Sequence, residues 1–224
     1  MSALHPLANP IIAVARAISG VQVRGMNRCR ETKQRIYFAN HTSHLDFVVI
    51  WSALTEEART RTHPVAAREF WETGLRGYLA QNVFRAVLIQ RSTHPRGDHS
   101  AGSIAQARAV VDQLAETMGD TESLIIFPEG MRSTDNTTAP FRSGLYYLAQ
   151  SKPGVELIPV YLENLGRVLP KGEILPVPLL SRLTFGEPLQ LGEDESKDAF
   201  LARARAAVLG LRERSTHGSS LDGL

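Results

Sequence analysis

The stretch Asn40-His41-Thr42-Ser43-His44-Leu45-Asp46 puts two imidazoles and a carboxylate between two apolar runs, Ile36-Tyr37-Phe38-Ala39 and Phe47-Val48-Val49-Ile50. A histidine in a turn can fold back onto a carboxylate in the first turn of a following helix. The carboxylate then fixes the tautomer of the ring. It also balances the charge that forms when the other ring nitrogen takes a proton. His41 and Asp46 have the spacing for this; His44 and Asp46, two residues apart, point to different sides of a helix.

Two other readings of the same residues stay open. Ser43 followed three residues later by Asp46 has the form of a capping box that starts a helix. That accounts for Asp46 and leaves His41 unexplained. His41, His44 and Asp46 are also three potential metal donors. Their order departs from the His-x-His-x-Asp-His of metallo-hydrolases, and His5, His63, His94, His99 and His217 form no second cluster with ligand spacing.

A second chemical stretch, Phe127-Pro128-Glu129-Gly130-Met131-Arg132-Ser133, follows the apolar run Ser123-Leu124-Ile125-Ile126. Pro128 ends any strand before it. Read plainly, this is a Pro-Glu-Gly turn. Read chemically, Glu129 offers an acceptor and Arg132 a bidentate cation in one cleft, suited to a polyol hydroxyl and a phosphate. Arg91 closes a third apolar run, Ala86 to Gln90, and a cation there suits a phosphate or is an isolated surface charge. No G-x-S-x-G elbow, glycine-rich dinucleotide fingerprint or P-loop occurs. Cys29, the single cysteine, lies in a polar stretch and reads as incidental; one cysteine excludes an internal disulfide framework.

These groups need strands that end together. Short apolar segments bounded by Gly, Pro or polar residues suggest strands at 35–39, 64–67, 86–90, 122–127, 155–162 and 181–185. Helical spacing suggests helices at 8–19, 44–55, 70–82, 101–118, 142–151 and 194–213. Such alternation predicts an α/β layered domain, a central and largely parallel (mixed) sheet flanked by helices, with binding groups just beyond the carboxyl ends of the strands. The 224 residues suffice for one such core. We divide the chain into an N-terminal amphipathic helix and basic segment (1–30), one domain (31–213) and a flexible polar tail (214–224).

Composition is ordinary for a folded chain, at 43% hydrophobic and 21% charged, so disorder is not the reading. The net charge of +2 is unevenly spread. Residues 24–35 carry five Arg or Lys against Glu31, and residues 187–198 carry five acids against Lys197. A basic front half suits anionic partners, although most of its arginines individually read as solvated faces. The apolar run from Ile11 to Val23 contains Arg16 and is shorter than the roughly 20 residues a membrane span requires. As a helix it groups Ile11, Val14, Ala15 and Ile18, with Arg16 pointing away, on a face that packs on the domain or lies in a membrane interface. The uncharged segment Ile174 to Leu180 is either a buried connection or an interfacial one.

Taken in order, these stretches resemble the glycerolipid acyltransferase family, that is, lysophosphatidic acid (1-acylglycerol-3-phosphate) and glycerol-3-phosphate acyltransferases. Its Asn-His-x4-Asp block is met by Asn40 to Asp46, and its Phe-Pro-Glu-Gly-x-Arg-Ser block by Phe127 to Ser133. Val87-Leu88-Ile89-Gln90-Arg91 is similar to its strand ending in arginine, and Leu157-Ile158-Pro159-Val160 to its proline-bearing strand. Phe141-Arg142-Ser143-Gly144 resembles the Phe-Lys-x-Gly that often follows. The resemblance covers roughly residues 35 to 190.

The resemblance implies a glycerol-phosphate acyltransferase-like fold and acyl transfer from acyl-CoA or acyl carrier protein to a hydroxyl of a lysophospholipid. The acceptor it points to first is 1-acylglycerol 3-phosphate, giving phosphatidic acid. His41 would be the general base and Asp46 its orienting partner. Arg91 and Arg132 would hold the acceptor phosphate; Glu129, Gly130, Ser133 and Arg142 would line or assist that site. It implies no bound cofactor, no metal and no nucleic acid, and a peripheral attachment at the cytoplasmic face of a membrane. The sequence does not identify the oxyanion donors; backbone N–H groups of the turn after 35–39 are one candidate. Two readings from other classes remain: a metal-dependent hydrolase built on the 41–46 cluster, and a non-catalytic binder of anionic lipid.

Overall fold

The computed structural model describes residues 5–25, 33–90, 100–133, 137–165 and 180–217, with side chains as far as Arg212. In chain order the elements are α1 (Ala8–Ser19), β1 (Gln22–Arg24), β2 (Arg35–Ala39), α2 (Asp46–Ala53), α3 (Glu56–Thr60) and β3 (Thr62–Ala67). There follow α4 (Arg68–Trp71), α5 (Gly74–Tyr78), a π-helical turn at Leu79–Val83, β4 (Val87–Ile89), α6 (Ala101–Met118) and β5 (Ser123–Ile126). The chain then forms α7 (Gly144–Ser151), β6 (Glu156–Glu163), β7 (Arg182–Phe185) and α8 (Lys197–His217).

Among the described residues seven strands form one sheet in the order β1-β7-β6-β2-β5-β3-β4. All neighbours are parallel except β6 and β7. The sheet is therefore mixed and mostly parallel, as the alternation predicts. Strand β2 is buried along its whole length. It explains its own apolar run: a central parallel strand is covered on both faces. Successive side chains alternate between two cores. Tyr37 and Ala39 pack with Phe47, Ile50 and Trp51 of α2 and Ile12 of α1. Ile36 and Phe38 pack with Val111 and Leu114 of α6, Leu145 and Leu148 of α7, and Phe200 and Val208 of α8. Three layers result: α1 and α2, the sheet, then α6, α7 and α8.

Several sequence expectations are corrected here. The helix expected over 70–82 breaks after Trp71, because Gly74 takes φ +62° and the chain cannot run on as one right-handed helix, while α5 runs directly into the π-helical turn. Strand β1 and helix α3 were not anticipated, and α8 starts at Lys197 and continues to His217, beyond the 213 expected. On α1 Ala8, Ile12 and Ser19 are buried, Ile11, Ala15 and Ile18 pack half-buried against the same core, and Val14 is 56% exposed. Arg16 does not point away: its Nη2 donates to the Ser52 carbonyl at the end of α2 (2.6 Å). Of the expected face only Val14 turns outward; Ala8 and Ser19, too small or too polar to register in an apolar pattern, join it on the inside. Cys29, Arg91, His94, His99, residues 174–179 and the tail from 218 lie outside the described residues.

Candidate active site

The carboxyl ends of β2 and β5 are neighbours, with Phe38 opposite Ile126 in the register. His41 and Glu129 each follow three residues after that pair, so the two turns leave the sheet side by side. This is the crevice where open parallel sheets gather their binding groups.

His41 Nδ1 lies 2.8 Å from Asp46 Oδ2. The Asp46 side chain is fully buried and that of His41 is 14% exposed. The same Oδ2 accepts the backbone N–H groups of Thr42 (2.7 Å) and Ser43 (2.9 Å). Its Oδ1 has no hydrogen-bond partner among the described residues. Asp46 opens α2, where a negative charge is favoured by the helix dipole. One Asp46 oxygen thus meets both the His41 ring and the Ser43 N–H, but only the acid half of the capping reading forms: Leu45, not Ser43, is the N-cap of α2, and no side chain caps it. Asp46 reaches back to the Ser43 N–H as a capping-box acid does, and it holds the His41 ring at the same time. Against an ionised carboxylate Nδ1 carries the proton, which leaves Nε2 as the basic nitrogen. Nε2 makes no hydrogen bond among the described residues. Phe127 stacks on the His41 ring with centroids 4.2 Å apart and planes 20° from parallel.

His44 takes a different course. Its ring stacks on Phe70 (3.7 Å, 6°), over which Arg76 lies at 4.4 Å. Among the described residues no three His, Cys, Asp or Glu side chains are placed to hold a metal ion.

Glu129 is not a cleft-facing acceptor of the kind its turn suggests. It is 1% exposed, and both its oxygens accept backbone N–H groups: Oε1 from His41 (2.9 Å) and Oε2 from Ala139 (2.8 Å). Burial pushes its carboxyl above the ordinary range, the two N–H donors and the His41 ring pull it down, and Asp46 pushes it up. Ser133 donates its N–H to the His41 carbonyl (2.8 Å), which seats the half-buried Arg132 beside the same turn. Gly130 takes φ +75° and is closed over by Arg142, whose Nε, Cδ and Cζ occupy the space a Cβ would need. Arg142 is fixed there by its own N–H to Pro128 O (2.8 Å) and by Nε to Glu129 O (3.4 Å). The structure therefore brings together His41, Asp46, Glu129, Gly130, Arg132, Ser133 and Arg142; Arg91 lies outside the described residues, after the end of β4.

The candidate oxyanion donors in the turn after β2 are otherwise engaged. The His41 N–H goes to Glu129, and the Thr42 and Ser43 N–H groups go to Asp46. The reason is geometric: a turn that wraps a carboxylate points its amides inward. Sequence reading also gave no role to Asn40. Its side chain extends the β2–β6 pairing past the last strand residue, donating to Leu162 O (2.9 Å) and accepting from Leu162 N (2.8 Å). Its position next to His41 was the signal, since a buried Asn must find both partners.

The chain matches the family model described as Acyltransferase over residues 20–163. The 1-acyl-sn-glycerol-3-phosphate acyltransferase of Limnanthes douglasii is 30% identical over 165 residues, 72% of this chain and 53% of that protein. The alpha 1-acyl-sn-glycerol-3-phosphate acyltransferase of Mus musculus is 28% identical over 145 residues, 64% of this chain and 45% of that protein. The chain thus spans about half the length of the curated relatives it matches. The crystal structure of PlsC from Thermotoga maritima, a 1-acyl-sn-glycerophosphate (LPA) acyltransferase, shares the fold. Its TM-score is 0.69, at 19% identity, over 93% of this chain and 80% of that one. With most of its sheet and both strand-end turns inside the matched region, the chain belongs to the acyltransferase family.

Proposed function

We propose that the protein transfers a fatty acyl group from a thioester, acyl-CoA or acyl carrier protein, to the free hydroxyl of 1-acylglycerol 3-phosphate, giving phosphatidic acid. The observation that carries this is the His41 Nδ1–Asp46 Oδ2 contact at 2.8 Å, beside the turn that bears Arg132. His41 Nε2 takes the hydroxyl proton as the oxygen attacks the thioester carbonyl carbon. The tetrahedral intermediate then collapses, the C–S bond breaks, and the departing thiolate takes the proton back from Nε2. Asp46 keeps Nε2 as the basic nitrogen and offsets the imidazolium charge, an arrangement worth about 10²–10⁴ in rate for a positioned base. Arg132, with Arg91, holds the acceptor phosphate by charge-assisted hydrogen bonds. Gly130, Ser133 and Arg142 shape the same side of the cleft, and Glu129 holds its backbone.

The acceptor is a membrane lipid, so the reaction runs at a bilayer surface. No helix among the described residues is long and apolar enough to cross a membrane. Leu75 (74% exposed) and Tyr78 on α5 and Leu7 before α1 expose apolar surface, and Tyr78 OH hydrogen-bonds His5 Nε2 (3.2 Å), which keeps the two segments together. These support peripheral attachment.

The test is purified protein with oleoyl-CoA or oleoyl-acyl carrier protein and 1-oleoylglycerol 3-phosphate, scored by free thiol and by mass spectrometry of phosphatidic acid. His41→Ala should abolish both products with the circular dichroism spectrum unchanged. Equal thiol release by His41→Ala would refute the mechanism.

A further inference from the structure

The peptide group between Thr138 and Ala139 is gripped from both ends by charged side chains. Its carbonyl accepts from Arg205 Nε (3.0 Å) and Nη2 (2.6 Å) on α8. Its N–H donates to Glu129 Oε2 (2.8 Å), and the other oxygen of that carboxylate accepts the His41 N–H (2.9 Å). One peptide thus joins a guanidinium to a buried carboxylate, and the carboxylate joins it to the backbone of the proposed base. Hydrogen bonds in series polarise one another, so a cation on the carbonyl strengthens the N–H that faces Glu129.

Arg205 is itself well placed to be a fixed point. Its neighbours on the helix, Ala204 and Val208, are fully buried in the core beneath α6 and α7. Thr138 and Glu129 are 5% and 1% exposed, so water does not compete freely for this peptide. Arg205, which lies outside the region matched by the family, spends two donors on a single carbonyl 67 residues away in sequence and inside that region.

We infer that Arg205 is a positioning residue for His41, acting through the 138–139 peptide and Glu129. It holds the loop against the carboxylate, and the carboxylate holds the main chain that carries the base. Arg205 touches neither substrate. The kinetic arm of the test below rests on the acyl-transfer reading; the exchange arm does not.

Arg205→Met keeps the aliphatic stem and removes both donors; Arg205→Lys restores one. Amide hydrogen exchange at Ala139 and His41 is followed by NMR, alongside kcat and KM with oleoyl-CoA and 1-oleoylglycerol 3-phosphate. Arg205→Met should speed exchange at both amides and lower kcat about tenfold, the size of one lost charge-assisted hydrogen bond, with either KM moved by no more than about twofold. Arg205→Lys should recover part of both losses. In a Glu129→Gln background, Arg205→Met should add little, since the path it acts through is already broken. Unchanged exchange at His41 in Arg205→Met, or fully additive losses in the double variant, overturns the inference. Should Arg205→Met fail to fold, Arg205→Lys decides alone, with faster exchange at His41 supporting the role and unchanged exchange refuting it. Absence of turnover in the wild-type protein would sink the acyl-transfer reading and leave the exchange result standing.

Discussion

Glu129 and His41 are joined through the backbone, not through their side chains: Oε1 accepts the His41 N–H at 2.9 Å. Ser133 completes the hold by donating to the His41 carbonyl at 2.8 Å. Both main-chain polar groups of His41 are therefore anchored to the turn that leaves β5. What remains free is the ring, and Asp46 and Phe127 fix that. The turns at 40–46 and 127–133 are one mechanical unit, and the Phe-Pro-Glu-Gly stretch holds the His41 main chain.

Glu129 should leave a mark on stability against pH. Its carboxyl titrates above the ordinary glutamate range, because burial outweighs the N–H donors that favour the charged form. Between the unfolded and folded values the folded chain binds more protons than the unfolded one. Stability contributed by Glu129 is then complete at low pH and is lost as pH rises through that window, from about pH 4 upward. Glu129→Gln cannot titrate and lacks this slope. Denaturant unfolding of both proteins across the window should show the wild type losing stability relative to the variant as pH climbs. A relative gain with rising pH would mean that the hydrogen bonds, not burial, dominate this carboxyl.

Asp46→Asn keeps the size of the side chain and removes its charge. An amide oxygen can still receive the Thr42 and Ser43 N–H groups, so the start of α2 should survive. It cannot balance an imidazolium at His41 or hold the tautomer by charge. Catalysis should fall by about 10³–10⁴ in kcat, the scale known when a triad aspartate is neutralised, with KM for both substrates little changed. Initial rates of thiol release at saturating substrate measure it. A loss smaller than tenfold would remove Asp46 as the charge partner of the base.

The parts legible in the sequence were those set by neighbours in the chain. Strand β2 was read at its true bounds because a central parallel strand shows an unbroken apolar run. The His41–Asp46 pair was readable because both residues sit in one turn. One Asp46 oxygen meets both the His41 ring and the Ser43 N–H, while Ser43 does not cap α2, which no residue pattern could reveal. Glu129 looked like an open acceptor because its partner Ala139 lies ten residues on, past a loop of no regular pattern. Arg205 and Thr138 meet only through the tertiary packing of α8. Ser19 escaped the apolar pattern of α1 for a related reason: it is buried through its hydroxyl bond to Ala15 O (2.6 Å), a polar solution that hydrophobic spacing does not count.

Gly130→Ala tests the close approach of Arg142. The residue has φ +75°, where a Cβ costs about 1–2 kcal/mol, and the new methyl would also displace the Arg142 guanidinium. Denaturant unfolding should register at least that loss. The turn then presents Arg132 and Arg142 differently, so KM for the lysophospholipid should rise more than KM for the thioester. Equal rises in both would show that the damage is general and that Gly130 has no particular tie to the acceptor side.

The last expectation concerns the ring stacked on the base. Phe127 lies face to face with His41 at 4.2 Å, and an aromatic face attracts the cation that His41 becomes on taking the proton. Phe127→Leu retains an apolar group of similar reach and loses that face. Such ring pairs are worth about 0.5–1.5 kcal/mol beyond burial, so kcat should drop by about two- to tenfold. Phe127→Tyr keeps the ring and should stay near the wild-type rate. Because the benefit grows as the imidazole becomes charged, it belongs to the transition state, and KM should hold steady. If Phe127→Leu instead leaves kcat untouched and raises both KM values, Phe127 is a wall of the cleft, and Asp46 alone sets the ring.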